Sequence, residues 1–185
     1  VISISKIIKK FKLKVFDIEK LETHGGSIRY YICHDESNFK IKKTVKQFLK
    51  KELKNELDKF STYKKFGTRI KKSKMELRNI LKKIKKNRKK VVSYGATYKS
   101  ATVFNYCKID NNLIEYVIDT TKNKQNKFTP GSHLKIYAPD KQPIKKIDYY
   151  FLGAWNFKKE IFSKEKIFLQ KGGKFISHVP NVKII

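Results

Sequence analysis

From Val91 onward, short runs of β-forming residues alternate with helical stretches, and no other feature of the chain narrows its possible folds as much. Val91 to Tyr94 reads as a buried strand ending in Gly95-Ala96, followed by a helix from Lys99 to Cys107 and a strand from Leu113 to Asp119. Leu134 to Tyr137 and Tyr149 to Ala154 read as further strands. Phe157 to Leu169 is a helix closed by Gly172-Gly173, and Phe175 to Val179 is a last strand. Strand and helix in alternation imply a parallel sheet flanked by helices, joined by right-handed crossovers, because parallel neighbours need a long connection that packs on the sheet face. Residues 91–185 are therefore expected to form a Rossmann-like domain.

Upstream of Lys90 the period changes. Ile4, Ile7, Ile8 and Phe11 fall at helical spacing, with Ser3 and Ser5 available as caps. Leu13 to Leu21 and Ser27 to Cys33, separated by Thr23-His24-Gly25-Gly26, read as two strands, most simply antiparallel neighbours. Such a unit is too small to stand alone and looks like the last piece of a larger sheet. Thr44 to Phe60, then Phe66 to Ile84, carry apolar residues at a 3.6 period and read as two amphipathic helices, with the break at Ser61-Thr62 and Gly67. The expected class is α/β: a Rossmann-like parallel sheet flanked by helices (91–185), preceded by a helix plus antiparallel strand pair (1–37) and a two-helix connector (38–90).

The formal charge of +29 raises nucleic acid as a partner, since lysine and arginine neutralise phosphates with release of counterions. Arginine, the planar bidentate reader of bases and phosphates, is limited to Arg29, Arg69, Arg78 and Arg88. Lysine is spread over nearly every segment, as on a solvated surface. A basic nucleic-acid-binding protein thus stays the lesser alternative. Cys33 and Cys107 lie far apart in apolar settings, which argues against a disulfide framework. No apolar run approaches the ~20 residues that span a bilayer, and the first residues lack the apolar core of a signal peptide, so the expected location is the cytoplasm, without a membrane partner.

In open α/β sheets ligands bind beyond the carboxyl ends of the strands. Those ends carry Gly95 to Lys99, Asp119 to Thr121, Ala138 to Asp140, and Trp155-Asn156, which converge on one rim. Gly95 allows a tight turn and close backbone approach, the next helix offers N–H groups, and Lys99 and Ser100 add a cation and a hydroxyl, a combination suited to a phosphate or diphosphate. The same pattern also describes a simple strand-to-helix turn. One glycine, where a dinucleotide fingerprint has three, argues against ordinary NAD binding. Trp155 is either core packing or a platform for a base or sugar, and Asn156 either a helix cap or a polar contact. His24, in a glycine turn between two strands, is either structural or a proton carrier. His34, His133 and His178 lack metal-ligand spacing, so no metal site is expected in the chain.

Taken together, several short motifs resemble one family, the S-adenosylmethionine-dependent C-methyltransferases that methylate a carbon of nucleotide-linked keto-deoxysugars. The motifs are Thr23-His24-Gly25-Gly26-Ser27-Ile28-Arg29, Tyr94-Gly95-Ala96 with Lys99, and Asn105-Tyr106. Lys124-Gln125 with Pro130-Gly131-Ser132-His133, and Ala154-Trp155-Asn156-Phe157 with Glu160-Ile161, complete the set. The resemblance runs from about 13 to 182.

That resemblance implies a carboxy-terminal C-methyltransferase domain that helps to hold a nucleotide-linked sugar, with Gly95, Lys99, Ser100, Asn105, Trp155 and Asn156 as substrate contacts and His24 as a catalytic candidate. It also implies removal of a proton beside the sugar ketone and attack of the enolate carbon on the donor methyl. The donor, S-adenosylmethionine, would be bound mainly by a methyl-donor domain absent from this sequence, supplied in cis or in trans, and zinc would belong only to an absent amino-terminal region. The chain alone is then expected to be inactive. The alternative within the same resemblance is a non-catalytic module that retains nucleotide-sugar affinity. Ser93 departs from the glycine usual before Tyr94 in the family, and Tyr98 and Ser100 replace smaller residues beside Lys99.

Overall fold

A computed structural model describes residues 1–144 and 146–185. The chain divides into two compact units, Val1–Thr68 and Arg69–Ile185.

In the first unit, helix α1 (Ile2–Lys9) is followed by strands β1 (Leu13–Leu21) and β2 (Ser27–His34), which pair antiparallel as the sequence indicated, and by helix α2 (Lys43–Lys54). A bulge at Phe16 lies behind the core of this unit. Val15 and Ile18 have opposite parity and would face opposite sides of a regular strand, but the register shift between Val15 and Asp17 turns both inward. There they meet Val1, Ile8 and Val45. Asp17 fastens β1 to the start of α2, accepting from Lys42 Nζ at 2.6 Å and Thr44 Oγ1 at 2.7 Å. These bonds, the one from Lys42 foremost, hold its carboxyl at about 2, well below the ordinary range.

Two expectations for this stretch are corrected. Ser3 and Ser5 lie inside α1 and do not cap it; the Ile2 amide donates instead to Glu52 Oε2 at 2.7 Å, a carboxylate from α2. The break between the two long helices falls at Asn55–Lys59, because Asn55 Nδ2 bonds the Lys51 carbonyl and Glu56 takes a left-handed conformation (φ 54°). Ser61, Thr62 and Gly67 are then interior to α3 (Phe60–Lys86), where a single glycine costs only about 1 kcal/mol.

The second unit is the doubly wound domain. Its six strands are β3 (Val91–Tyr94), β4 (Val117–Ile118), β5 (Ile136–Tyr137), β6 (Tyr149–Leu152), β7 (Lys174–Ser177) and β8 (Lys183–Ile184). They lie in the order β5-β4-β3-β6-β7-β8. All neighbours are parallel except β7 and β8. Helix α4 (Tyr98–Cys107) follows β3, and α5 (Lys158–Lys164) and α6 (Lys166–Gln170) follow β6. Glu165 leaves the helical conformation (φ -98°, ψ 27°), so the single helix expected from Phe157 to Leu169 is two short ones. The strand expected from Leu113 shortens to Val117–Ile118 because Leu113 and Ile114 donate to the Asp110 carbonyl in a turn.

Both faces of this sheet are covered, which is why its central strands read as continuous apolar runs. Alternate residues divide between two cores. Val91, Phe151 and Ile176 pack with Leu77, Leu81 and Phe104 on one face. Val92, Tyr150, Leu152 and Phe175 pack with Ile161 on the other.

Candidate functional site

The order β4-β3-β6 places the first strand of the domain at the centre, and the chain leaves β3 and β6 toward opposite faces. A crevice must open beyond that pair. It does: a cleft of about 280 Å³ is lined by Tyr94, Gly95 and Thr97 after β3, and by Ile118 to Thr121 with Lys124 after β4. Pro139 after β5, Ala154 after β6, and Phe157, Glu160, Ile161 and Lys164 complete it. The four strand ends singled out in the sequence thus meet at one place.

Gly95 is there because nothing larger fits. Its φ is 97°, and a Cβ would lie 2.7 Å from Ala154 Cβ. Its N–H donates to the Ile118 carbonyl at 2.8 Å, tying the turn to β4.

Asp119 organises the turn that follows. Its carboxylate, buried at 9% exposure, accepts from the Ala96 amide at 2.7 Å, the Thr121 amide at 2.8 Å and Lys124 Nζ at 3.3 Å. Burial alone would raise this carboxyl's pKa, but the hydrogen bonds from Thr121 and Ala96 and the charge of Lys124 outweigh it and the net direction is downward. The group is ionised inside the wall of the cleft. Sequence reading passed over Asp119 as a site residue. The signal for it was an acidic residue at the end of the second strand, roughly twenty residues after the glycine turn.

Ser100 and Asn105 have their polar groups engaged within the protein. Ser100 is fully buried and forms a capping box with Thr97: the Ser100 amide donates to Thr97 Oγ1 at 3.0 Å, and the Thr97 amide to Ser100 Oγ at 2.9 Å. Its hydroxyl also donates toward the Gly95 and Thr97 carbonyls. Asn105 Nδ2 donates to the Ala101 and Pro130 carbonyls, and its Oδ1 lies where a side chain at Gly131 would be. Two of the short motifs, Asn105-Tyr106 and Pro130-Gly131, are thereby explained as one contact.

Lys99 and Trp155 come together without entering the lining. Lys99 Nζ stands over the Trp155 ring at 5.1 Å from its centroid; Lys99 follows the cleft residue Thr97 by two positions and Trp155 directly follows the cleft residue Ala154. The indole, half-buried, also packs on the second core, so both readings of Trp155 have a basis. Asn156 sits in the short turn Trp155–Phe157 and does not cap α5, whose N-cap is Phe157 with no side-chain hydrogen bond. His24 belongs to the first unit. It is exposed, in a left-handed conformation (φ 56°) within the turn Thr23–Gly25.

Tyr94 contributes a phenol whose pKa is pushed up by burial and by the hydrogen bond and charge of Glu165, so it stays a neutral donor. Among the described residues, no group of three or more His, Cys, Asp or Glu side chains is placed to hold a metal ion. No helix there is long and apolar enough to cross a membrane.

A doubly wound sheet with a cleft at its switch point defines a class of ligand-binding domain and leaves the chemistry open. Sequence comparison narrows it: the chain belongs to the family described as the C-methyltransferase C-terminal domain, whose model matches residues 22–180. It is similar to the C-methyltransferase NovU of Streptomyces niveus, at 30% identity over 183 residues. That match covers 99% of this chain and 44% of NovU, so the chain spans less than half the length of this relative.

Proposed function

We propose that this chain is the carboxy-terminal, nucleotide-sugar-binding portion of a C-methyltransferase that uses S-adenosylmethionine and acts on a nucleotide-linked keto-deoxysugar. The observation that carries the proposal is the cleft at the carboxyl ends of β3, β4, β5 and β6, in a chain that belongs to this family. Apolar walls suit a ring system and the hydroxyls of Thr120 and Thr121 suit its polar edge. Lys99, on Trp155 beside the cleft, is the cation for a diphosphate, and Asn156 a polar contact next to it. Gly95, Ser100 and Asn105 act by holding the shape of the rim.

The methyl donor is assigned to a methyl-donor domain outside these residues. The described residues do not fit it: one strand-to-helix turn carries a single glycine, and its Ala96 amide and the nearby Asp119 carboxylate already bond each other. His24, exposed on its glycine turn, is the proton-carrying candidate in the assembled enzyme, which works in the cytoplasm.

Thermal denaturation with a thymidine diphosphate-linked keto-deoxysugar tests the proposal. A ligand at a hundred times its Kd stabilises the fold by about 2.7 kcal/mol, so a concentration-dependent rise in Tm is expected. An unchanged Tm at millimolar ligand, together with tight, salt-sensitive binding to random duplex DNA, would favour a nucleic-acid-binding protein instead.

A further inference from the structure

The turn after β3 is the place where a doubly wound sheet ordinarily meets the phosphates of a nucleotide, through backbone amides at the start of the next helix. In this protein most of those amides are already engaged. Gly95 N–H donates to the Ile118 carbonyl, Ala96 N–H to Asp119, Thr97 N–H to Ser100 Oγ, and Ser100 N–H to Thr97 Oγ1. Only Tyr98 and Lys99 lack such an acceptor among the described residues. The anion at this turn is part of the protein.

The charges in the lining tell the same story. Each lysine facing the cleft has its own carboxylate: Lys124 meets Asp119 at 3.3 Å, and Lys164 meets Glu160 at 2.7 Å. A diphosphate would have to displace an internal ion pair and would face two carboxylates. The rest of the wall is uncharged: Ile118, Pro139, Ala154, Phe157 and Ile161, with the Gly95 turn and the hydroxyls of Tyr94, Thr97, Thr120 and Thr121. At about 280 Å³ the cleft lies just below the ~300–1,000 Å³ usual for ligand pockets, a size that suits one ring system and its pendant.

We propose that the cleft receives the uncharged nucleoside end of a nucleotide-type ligand, and that Asp119 fills the anion position at the Gly95-Ala96 turn so that the phosphates lie outside the cleft. The inference rests on the nucleotide-sugar reading above and reverses the role that the glycine turn would have as a phosphate cradle. Asp119 is a positioning residue here: it fixes the turn and refuses a second anion. The Lys99 ammonium, which has no carboxylate partner among the described residues, stands outside the lining and is free to meet a phosphate there.

Isothermal titration of the whole chain with thymidine, thymidine diphosphate and inorganic pyrophosphate tests this. Thymidine should bind within about tenfold of thymidine diphosphate, a gap of ~1.4 kcal/mol, and pyrophosphate should not displace it. Asp119→Ala, which frees the Ala96 amide and Lys124, should gain pyrophosphate binding that the native chain lacks. If that variant does not fold, the native titrations still decide. Binding of thymidine diphosphate without thymidine, with displacement by pyrophosphate, would overturn the inference and leave the nucleotide-sugar reading standing. Silence from thymidine and thymidine diphosphate alike would overturn both.

Discussion

The two units of this chain solve the problem of burial to very different degrees. In Arg69–Ile185 the sheet is covered on both faces, and Phe104, Phe151 and Phe175 are completely enclosed. Val1–Thr68 gathers a single small core of five buried side chains around the Phe16 bulge. It leaves large apolar groups such as Phe11, Leu49, Leu53 and Phe60 at its surface. A two-stranded sheet with two helices on it has too little interior to hide them. The contrast teaches that the second unit carries the information for its own fold, whereas the first offers a surface of the kind that partners cover. A methyl-donor domain is the partner we propose for it.

The largest expected effect is in the enclosed core. Phe151→Ala removes a ring packed 5.4 Å from Phe104 and 5.1 Å from the His178 ring, and should cost about 3–5 kcal/mol in urea denaturation. A loss below 1 kcal/mol, on the order of a surface substitution, would break the contrast.

His178 gives the second. Burial pushes its imidazole down to about 4, from an ordinary 6.5, and its Nδ1 is enclosed without a partner among the described residues. The folded state therefore holds it neutral, and between these values the unfolded chain binds more protons. The stabilisation is complete above pH 6.5 and is lost as the pH falls toward 4, by on the order of 3 kcal/mol. In His178→Phe that part of the acid sensitivity should vanish; a stability profile that keeps it would place the sensitivity elsewhere.

Gly95→Ala should follow, at about 1–3 kcal/mol, since the new methyl meets Ala154 at 2.7 Å in a backbone conformation that disfavours it. The ligand-induced rise in Tm should disappear with it. A fully stable variant that still responds to ligand would show that the turn tolerates a side chain. The smallest effect belongs to the first unit: Leu53→Ala, at a site 49% exposed, should change the stability of the isolated chain by less than about 0.5 kcal/mol. A large loss there would mean that Leu53 is already engaged within this chain.

Much of the second unit was legible in the sequence, because buried parallel strands and the glycine turns between them leave strong local marks. Val91 to Tyr94 and Tyr149 to Leu152 are short apolar runs that only a doubly covered sheet can bury. β8 was missed because two residues carry no periodicity, and its place comes from pairing with Ile176 and Ser177. In the first unit, the strand alternation concealed the Phe16 bulge, which only the partner strand reveals. For the site, the rim was readable from topology, since four strand ends had to converge. Which groups remain open was not. The Ser100 hydroxyl, which reads as open to a ligand, is taken up in its capping box with Thr97, and Asp119, placed on the rim by the sequence, gains a definite role only through its carboxylate on the Ala96 amide. Hydrogen bonds between residues far apart in sequence decided both.

Trp155 is the only tryptophan of the chain, and it adjoins Ala154 in the wall of the cleft. Its fluorescence, titrated with a thymidine diphosphate-linked keto-deoxysugar, is the most direct test that the cleft is the ligand site. A saturable change is expected in the native chain, and its loss in Thr120→Phe, which fills the cleft from an exposed position. The same saturable change in both proteins, or none in the native chain, would contradict the assignment.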